Sequence, residues 1–477
     1  MTMAIVGAFM VPHPPIIMNE VGHGEEKKIQ RTIDSYTECA KKIAELAPDL
    51  IIVATPHTVM YSDYFSVSPG KVASGDMGSF RAPQVSFQVS YDEEFTTELD
   101  RMCRKRNFAA GTMGERPKYR RLDHGTMIPL YFINRFYSPE RYKLVRIGLS
   151  GQSYEKHYEL GMMLKELSER LDRRAVFIAS GDLSHCQRED GPYGYKKVGP
   201  EYDERLISCM KKADFASLFD FDYDFIEEAE QCGHRSFVMM AGALDRTRVE
   251  ATYLSHEATF GVGYGICYYI PEGQDESRAF LDTYIEKKKL AMEKRIGAED
   301  GFVKLARFTV ESFIGRGVVP HIEGGYAVAE KERLKLDREL LSRRAGAFTT
   351  LKKDGMLRGC IGTIAPTENT LAEEIIHNAV SASSRDPRFS KVRYDELPSL
   401  TYSVDVLNPP QEVDSVDDLD PRVYGVIVSK GHRRGLLLPD LSGVDTVERQ
   451  LEIAAEKGGI RMSEDPVIER FTVTRHF

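Results

Sequence analysis

The hydrophobic positions in the first half of the chain form short runs that alternate with segments of helical spacing. Apolar runs typical of buried strands occur at 4–11, 50–55, 85–91, 142–150 and 175–182. Segments with helical spacing lie near 25–46, 93–106, 154–172, 201–212 and 234–245. The helix near 154–172, which contains His157, is expected to be a surface helix. A β-rich stretch at 249–270 can add further strands. The alternation predicts an α/β domain over residues 1–272, with a central sheet flanked by helices.

The pattern changes after residue 272. The segment 273–298 is charged and free of proline and keeps helical spacing, so it predicts a connecting helix rather than a flexible linker. From 299 to 477, strand pairs stand apart from helices near 301–315 and 369–384, which predicts a second domain of the α+β class. A chain of 477 residues also exceeds the roughly 250–300 residues that one core usually supports.

Composition narrows the classes of function. A formal net charge of -9 offers no general attraction for nucleic acid, so we do not expect the N-terminal domain to bind it. In the second domain the basic cluster HRRG at 432–435 is a solvated turn or, alternatively, an RNA or anion contact. The seven cysteines contain no CxxC pair, which fits a reducing compartment. No apolar run reaches the roughly 18 residues of a membrane span and no leader peptide is evident, so we expect a cytoplasmic protein.

Four histidines of the first domain follow predicted strands or lie in a turn. His13 follows the run AIVGAFMVP, and His57 follows LIIVATP. His185 follows AVFIASGDLS, and His124 lies in the turn-like string LDHGTMIPL. Any one of them could be an ordinary hydrogen-bonding residue. Because ligands bind at the carboxyl ends of strands in α/β sheets, and imidazole suits Fe, Zn, Cu or Ni, the four together predict a metal site.

Three further side chains are candidates for completing this site. Glu230 and Cys232 lie in the string EEAEQCGHRSF, and either could supply the negative charge that balances a metal ion. Asp182 precedes His185 by three residues. It is either a turn residue or the carboxylate that orients the imidazole of His185.

Five strings in chain order carry a family resemblance: VPHPP, TPHT, LDHGTMIPL, SGDLSH and QCGHRSF. They resemble the class III extradiol ring-cleavage dioxygenases of the LigB type, and most closely the MEMO branch, over nearly all of residues 1–272. The resemblance implies that His13 and His57 bind a metal, Fe(II) first, with Zn or Cu as alternatives. The third dioxygenase ligand is a glutamate, whereas the MEMO-like motif matches Cys232 and leaves Glu230 as a displaced alternative. A His–His–Cys set favours thiophilic or redox-active metals.

The resemblance also implies roles for the remaining residues. His185 would act as base and then as acid on a catecholic substrate, and His124 would hydrogen-bond an oxygen of the bound reactants. Asp182 would fix the tautomer of His185. We therefore expect a non-haem iron protein that acts on a catecholic or other chelating small molecule. The mismatch at Cys232 keeps open the alternative of a metal-binding scaffold without turnover.

Three strings in the second domain resemble the AMMECR family: LRGCIGTI at 357–364, SSRDPRF at 383–389 and YSVDVLNPP at 402–410. The two halves joined are similar to proteins of the AmmeMemoRadiSam system. This implies a separate radical-SAM enzyme as partner, since the chain has no CxxxCxxC cluster, and an accessory role in modifying a macromolecule as a third alternative. Within LRGCIGTI, Cys360 is expected to be a small core residue of a strand rather than a nucleophile, and a ligand-contacting loop shaped by Arg358, Gly359 and Gly362 is the alternative.

Overall fold

The computed structural model describes residues 4–114, 121–413, 415–441 and 443–477. It divides the chain into two units, Met1–Lys287 and Lys288–Phe477, and each has hydrophobic cores of its own. The division falls inside the helix Phe280–Ala298, which lies within the segment 273–298 that the sequence predicts to be a connecting helix.

The strands of the N-terminal unit are β1 (Ile5–Val11), β2 (Leu50–Thr55), β3 (Phe65–Val67), β4 (Val72–Met77), β5 (Ala82–Ser90), β6 (Ala110–Thr112), β7 (Lys143–Gly148), β8 (Ala175–Ser180), β9 (Thr247–Glu257) and β10 (Tyr264–Gln274). Eight of them form one mixed sheet in the order β6-β3-β7-β2-β8-β1-β10-β9. At its centre, β7, β2, β8 and β1 run parallel. These are the apolar runs of the sequence, and their residues are almost all buried because both faces of the sheet are covered.

The helices of this unit are α1 (Asn19–Gly22), α2 (Gln30–Leu46), α3 (Glu93–Arg106), α4 (His124–Ile133), α5 (Tyr154–Arg170), α6 (Val198–Lys211), α7 (Tyr223–Glu228) and α8 (His234–Ala243). Neighbouring residues of β2 belong to two different hydrophobic cores. Ile52 lies in a core with residues of α3, α5, α6 and α8, whereas Ile51 lies in a core with residues of α2 and α4. Side chains of a strand alternate between its two faces, so the sheet lies between two helical layers. The predicted α/β class is confirmed.

Three local features differ from the sequence-based expectations. The run at 85–91 becomes part of β5, which pairs with β4 in a separate two-stranded sheet. His124 begins a helix instead of lying in a tight turn, because Asp123 caps that helix by accepting the N–H of Thr126. His157 was expected on a surface helix, but it is fully buried on α5.

The strands of the C-terminal unit are β11 (His321–Glu323), β12 (Tyr326–Ala329), β13 (Glu332–Lys335), β14 (Ala347–Lys353), β15 (Met356–Gly362), β16 (Leu400–Leu407), β17 (Gln411–Glu412), β18 (Gly425–Lys430), β19 (Arg433–Leu437), β20 (Val467–Phe471) and β21 (Val473–His476). They form three small antiparallel sheets, β11-β12-β13, β15-β14-β16-β21 and β17-β20-β18-β19.

The remaining helices are α9 (Phe280–Ala298), α10 (Gly301–Arg316), α11 (Arg338–Ser342), α12 (Leu371–Ser384) and α13 (Val447–Lys457). Apolar residues of α10 and α12 share a core with β14 and β16, and those of α13 share one with β18 and β19. Sheets and helices are thus segregated, and the predicted α+β class is confirmed. Among the described helices, none has both the length and the hydrophobicity to span a lipid bilayer.

The buried imidazole of His157 makes the stability of the N-terminal unit pH-dependent. Its Nδ1 donates to the carbonyl of Ser153 at 2.9 Å, and its Nε2 accepts the N–H of Ser150 at 3.4 Å. Burial lowers the pKa of His157 to about 3, whereas an unfolded histidine titrates near ~6.5. Between these values only the unfolded chain takes up the proton, so the stability contributed by the neutral ring is lost as the pH falls through this window.

We therefore expect His157→Gln to lower the free energy of unfolding near neutral pH but to flatten its decline in acid. Urea denaturation between about pH 7 and about pH 4 measures both effects. The slope of the unfolding free energy against pH should change by up to ~1.4 kcal/mol per pH unit. The exposed His23, replaced by Asn, is the control, and an unchanged acid slope in His157→Gln would contradict the assignment.

Candidate metal centre

The parallel strands at the centre of the N-terminal sheet end at one edge, and this places the predicted site residues together. Val11 of β1 lies beside Ser180 of β8, and Ala54 of β2 lies beside Ala179. The chain therefore leaves three adjacent strands at the same level, just before His13, His57 and Asp182. This is the edge at which α/β sheets bind ligands.

The ring of His13 is buried, and hydrogen bonding fixes its tautomer. The hydroxyl of Ser180 donates its proton to the carbonyl of Gly125 at 2.5 Å, so its oxygen can only accept from His13 Nδ1, 2.9 Å away. His13 therefore carries its proton on Nδ1. Its Nε2 is left with a free lone pair, as a metal ligand requires.

His57 directs its Nε2 at the same point. The Nε2 atoms of His57 and His13 are 2.8 Å apart. The backbone N–H of His57 donates to Thr55 Oγ1 at 3.2 Å. Two imidazole nitrogens at the usual ~2.0–2.1 Å from one ion would be about 2.9 Å apart at a right angle and about 3.3 Å apart in a tetrahedron. The observed spacing is thus close to that of two adjacent ligands.

His124 joins this pair. One ring nitrogen of each of the three histidines lies within 4.8 Å of the others, and the ring of His124 stacks on His57 with centroids 4.0 Å apart. The family resemblance implies a hydrogen-bonding role for His124, and the geometry also makes it a candidate ligand. Asp123, beside it, accepts from Thr55 and pairs with the fully buried guanidinium of Arg146 at 3.1 Å.

Asp182 holds His13, not the imidazole of His185. Its Oδ1 accepts the backbone N–H of His13 at 2.6 Å, and its own carbonyl accepts the N–H of Gly233 at 3.1 Å. The hydrogen bonds of this carboxylate within the described residues do not include His185. The expected role of Asp182 in fixing the His185 tautomer is therefore replaced by one in placing His13. Burial raises the pKa of Asp182 to about 7.

Cys232 faces the cluster, and Glu230 does not. The Sγ of Cys232 lies 3.5 Å from His13 Nε2 and accepts the N–H of Asp182 at 3.3 Å. Glu230 has a left-handed backbone with φ 52°, and its carboxylate pairs with Lys196 at 3.1 Å. Of the two candidates for a third ligand, the geometry favours Cys232. Gly181 and Gly233 allow this approach, since a Cβ on Gly181 would lie 2.1 Å from the Cα of Gly233.

His185 lies next to the three-histidine cluster. Its Nδ1 is buried without a hydrogen-bond partner among the described residues, and its ring contacts Tyr193 edge-on with centroids 5.4 Å apart. Its positive charge, when protonated, contributes to lowering the pKa of both His13 and His57, after burial as the main cause. His185 thus lies within electrostatic range of the cluster.

Burial and mutual repulsion keep the cluster uncharged. Burial lowers the pKa of His13 well below its usual value, that of His57 to about 4, and those of His124 and His185 in the same direction. Near neutral pH the imidazoles are therefore neutral and offer lone pairs. Burial also raises the pKa of the Cys232 thiol, so a metal must displace its proton to bind the sulfur.

Several residues that shape the centre were not predicted from the sequence. Ser180, Thr55 and Asp123 orient the histidines, and Arg146 supports Asp123 from the core. The charged Arg146 inside the apolar run YKLVRIGLS was a visible signal, because an arginine in a buried strand needs a partner. The contact of Ser180 with His13 spans 167 positions and left no local pattern.

Cys360 in the C-terminal unit is half-buried on β15, the edge strand of its sheet. Its N–H donates to Asp386 at 2.9 Å, and its carbonyl accepts from Arg388 at 3.1 Å. Thr350 donates to its Sγ at 3.2 Å, and burial raises the pKa of the thiol. These contacts agree with the structural interpretation of Cys360 rather than with a nucleophile.

Fold and site define the N-terminal unit as an α/β domain with a histidine cluster suited to a metal at its strand ends. Residues 7–267 match the family model described as the catalytic LigB subunit of aromatic ring-opening dioxygenase, and residues 303–476 match AMMECR1. The chain belongs to the LigB family and carries an AMMECR1 domain in its C-terminal half. The two family resemblances seen in the sequence are confirmed.

Other proteins are similar to this chain over different shares of its length. Protein CA_C1420 of Clostridium acetobutylicum is 42% identical over 479 residues, which cover 99% of each chain. A protein of Thermotoga maritima is 52% identical over 180 residues, 37% of this chain and 98% of its own. The crystal structure of uncharacterized protein PH0010 from Pyrococcus horikoshii covers 36% of this chain and 88% of its own, at 29% identity and a TM-score of 0.32. The two-domain organisation is thus shared over its full length with the Clostridium protein.

Gly125 allows the close packing between α4 and the end of β2. A Cβ at this position would lie 2.5 Å from Thr55 Oγ1 and 3.4 Å from the ring of His57. We expect Gly125→Ala to destabilise the N-terminal unit by about 1–3 kcal/mol, because Thr55 is buried and cannot move aside freely. Chemical denaturation measures the loss. Gly273→Ala, where the added Cβ meets nothing closer than 3.6 Å, is the control, and equal stability of the two variants would contradict the packing argument.

Proposed function

We propose that the N-terminal unit is a mononuclear non-haem iron centre that acts on a catecholic or other chelating small molecule. The proposed ligands are His13, His57 and Cys232, and His124 can occupy a further position. The observation that carries the proposal is the convergence of the His13 and His57 Nε2 atoms at 2.8 Å, with the His13 tautomer fixed by Ser180. Membership of a family whose model is named for an aromatic ring-opening dioxygenase supports the choice of substrate class.

The donor set suits a soft or redox-active divalent ion. Neutral imidazoles are common ligands of Fe, Zn and Cu, and a thiolate adds one negative charge. Fe(II) bound here would supply Lewis acidity and electron transfer, and Zn or Cu are the alternatives for the same donors. Glu230, the glutamate nearest in sequence to the third dioxygenase ligand, pairs with Lys196 instead of facing the three histidines.

The residues around the ligands provide proton transfer. His185 is neutral near neutral pH, so it can take a proton from a substrate hydroxyl and later return it. Its Nδ1 is buried, so the proposed proton transfer uses the other ring nitrogen, Nε2. His124 can donate a hydrogen bond to a substrate oxygen when it does not bind the metal. Phe80 covers the ring of His124 edge-on, with centroids 5.2 Å apart, and limits access of water from that side.

Anaerobic loading with Fe(II) tests the centre directly. We expect the wild type to bind Fe(II) and to give a ferrous–nitrosyl EPR signal, which requires a metal with an open coordination position. His13→Ala should lose at least ~10-fold in metal affinity, because it removes a ligand whose orientation is built in by Ser180. The control is His23→Asn, an exposed histidine at φ 49°, a backbone conformation that Asn tolerates.

Turnover is measured separately with an oxygen electrode and a panel of catechols. We expect His185→Ala to keep the EPR signal and to lose oxygen consumption. The absence of a nitrosyl signal in the wild type would overturn the iron centre itself.

Cobalt substitution identifies the third ligand. If Cys232 binds the metal as a thiolate, the Co(II) protein has a sulfur-to-cobalt charge-transfer band in the near ultraviolet, and Cys232→Ala removes it. Glu230→Gln is the matched control from the same loop and should leave the band intact, because that carboxylate pairs with Lys196. Absence of the band from the wild-type Co(II) protein, together with a loss of cobalt affinity in Glu230→Gln and not in Cys232→Ala, would reverse the assignment.

A metal-binding scaffold without turnover is the second candidate function. It is favoured by one observation, the thiol of Cys232 in the position where a ring-cleaving dioxygenase would carry a carboxylate. A scaffold would bind iron and would consume no oxygen with any catechol. The EPR and oxygen measurements together therefore separate the two candidates.

A further inference from the structure

An exposed aromatic ring lies against the residue proposed to transfer protons. The ring of Tyr193 contacts His185 with centroids 5.4 Å apart and an interplanar angle of 72°, which is an edge-to-face arrangement. Tyr193 is nevertheless 56% exposed. One part of the ring thus contacts His185, and the rest is exposed beside it. A large exposed aromatic side chain beside a polar cluster is a frequent feature of ligand sites.

The segment that carries Tyr193 is anchored to the fold. Gln187 and Tyr195 form an antiparallel bridge that closes a short hairpin around Tyr193. The N–H of Gln187 donates to the carbonyl of Gly261 at 3.1 Å. Gly191 packs on Gly261 so closely that a Cβ added to Gly191 would lie 2.9 Å from the Cα of Gly261. The main chain around Tyr193 is therefore tied to the turn between β9 and β10, and the exposure of its ring belongs to a fixed hairpin.

A second aromatic ring borders the centre at another histidine. Phe80 is half-buried and contacts His124 edge-on, with centroids 5.2 Å apart. His124 in turn stacks on His57. The rings of Tyr193 and Phe80 thus touch two different histidines of the same centre. Aromatic neighbours of this kind favour planar, aromatic ligands over aliphatic ones that chelate equally well.

We infer that Tyr193 is a substrate-contacting residue that selects for an aromatic ring in the molecule bound beside His185. The inference rests on the proposed function and deepens it, because it assigns the preference for an aromatic over an aliphatic chelator to one side chain. The ring of Tyr193, rather than its hydroxyl, makes the contact. Phenylalanine should therefore replace it, and leucine should not.

The hairpin contains its own matched control. Tyr195 lies two residues away and is 47% exposed, and within the described residues its ring has no aromatic contact with a histidine. A general effect of removing a surface tyrosine from this hairpin would appear equally in Tyr193→Leu and Tyr195→Leu. A contact with the bound ligand would appear only in Tyr193→Leu.

The test uses the full-length Co(II) protein and two chelating probes. The first is 4-nitrocatechol, whose visible spectrum reports binding, and the second is acetohydroxamate, a chelator without an aromatic ring. We expect Tyr193→Leu to weaken the binding of 4-nitrocatechol by about 3- to 10-fold, which is the range of an aromatic pair contact. The binding of acetohydroxamate should be unchanged. Tyr193→Phe should stay within about 2-fold of the wild type for both probes, and Tyr195→Leu should match the wild type.

Each other outcome has a distinct meaning. Unchanged binding of 4-nitrocatechol in Tyr193→Leu overturns the inference while leaving the metal centre intact. An equal loss for both probes also overturns it, because Tyr193 would then act through His185 or the metal. Failure of the wild type to load Co(II), measured before either probe is added, instead contradicts the proposed function, and the inference falls with it.

Discussion

The hydrogen bond from His13 Nδ1 to the hydroxyl of Ser180 is the interaction on which the candidate centre depends. It leaves the Nε2 lone pair of His13 directed at His57, and it holds only because the same hydroxyl donates to Gly125 at the start of α4. Ser180 also accepts from Ser236 of α8 through its carbonyl. The last residue of one central strand thus couples the ring orientation to helices on both faces of the sheet. A ligand site of this kind is a property of the whole N-terminal core.

The electrostatics of the centre follow from the same burial. Neutral imidazoles can lie with their nitrogens 2.8 Å apart, whereas protonated ones would repel strongly in a region of low dielectric. Burial raises the pKa of Asp182 to about 7, so its carboxyl is only partly ionised near neutral pH, and burial also raises the pKa of the Cys232 thiol, which therefore stays protonated. If Cys232 binds the cation as proposed, binding is coupled to proton release from the thiol, and the affinity for metal rises with pH. The site is arranged to receive positive charge as an ion rather than as protons.

Sequence alone predicted the layers of the N-terminal fold, because the buried parallel strands are nearly continuous apolar runs. It also placed His13 and His57 at strand ends, where the parallel register brings them together. It could not assign Asp182, since the choice between the His13 backbone and the His185 ring depends on where two loops meet. It likewise missed α4, whose first turn contains His124, because the capping by Asp123 was hidden within a string that resembles a turn. The first error arises because tertiary contacts decide the partner of Asp182, whereas the second concerns a local capping interaction between Asp123 and Thr126.

The C-terminal unit shows why a distinctive string need not mark a chemical site. The free side of edge strand β15 would expose the N–H and C=O of Cys360 to pairing with other chains. Asp386 accepts that N–H and Arg388 donates to that carbonyl, while the two side chains also pair with each other at 2.7 Å. The strings LRGCIGTI and SSRDPRF are therefore two halves of one edge-capping interaction. The need to pair the backbone N–H and C=O of Cys360 therefore accounts for Asp386 and Arg388. The histidines of the N-terminal unit, in contrast, converge on a point where no backbone group needs a partner. That difference is the physical reason for proposing a chemical site at the end of β8 and not at Cys360.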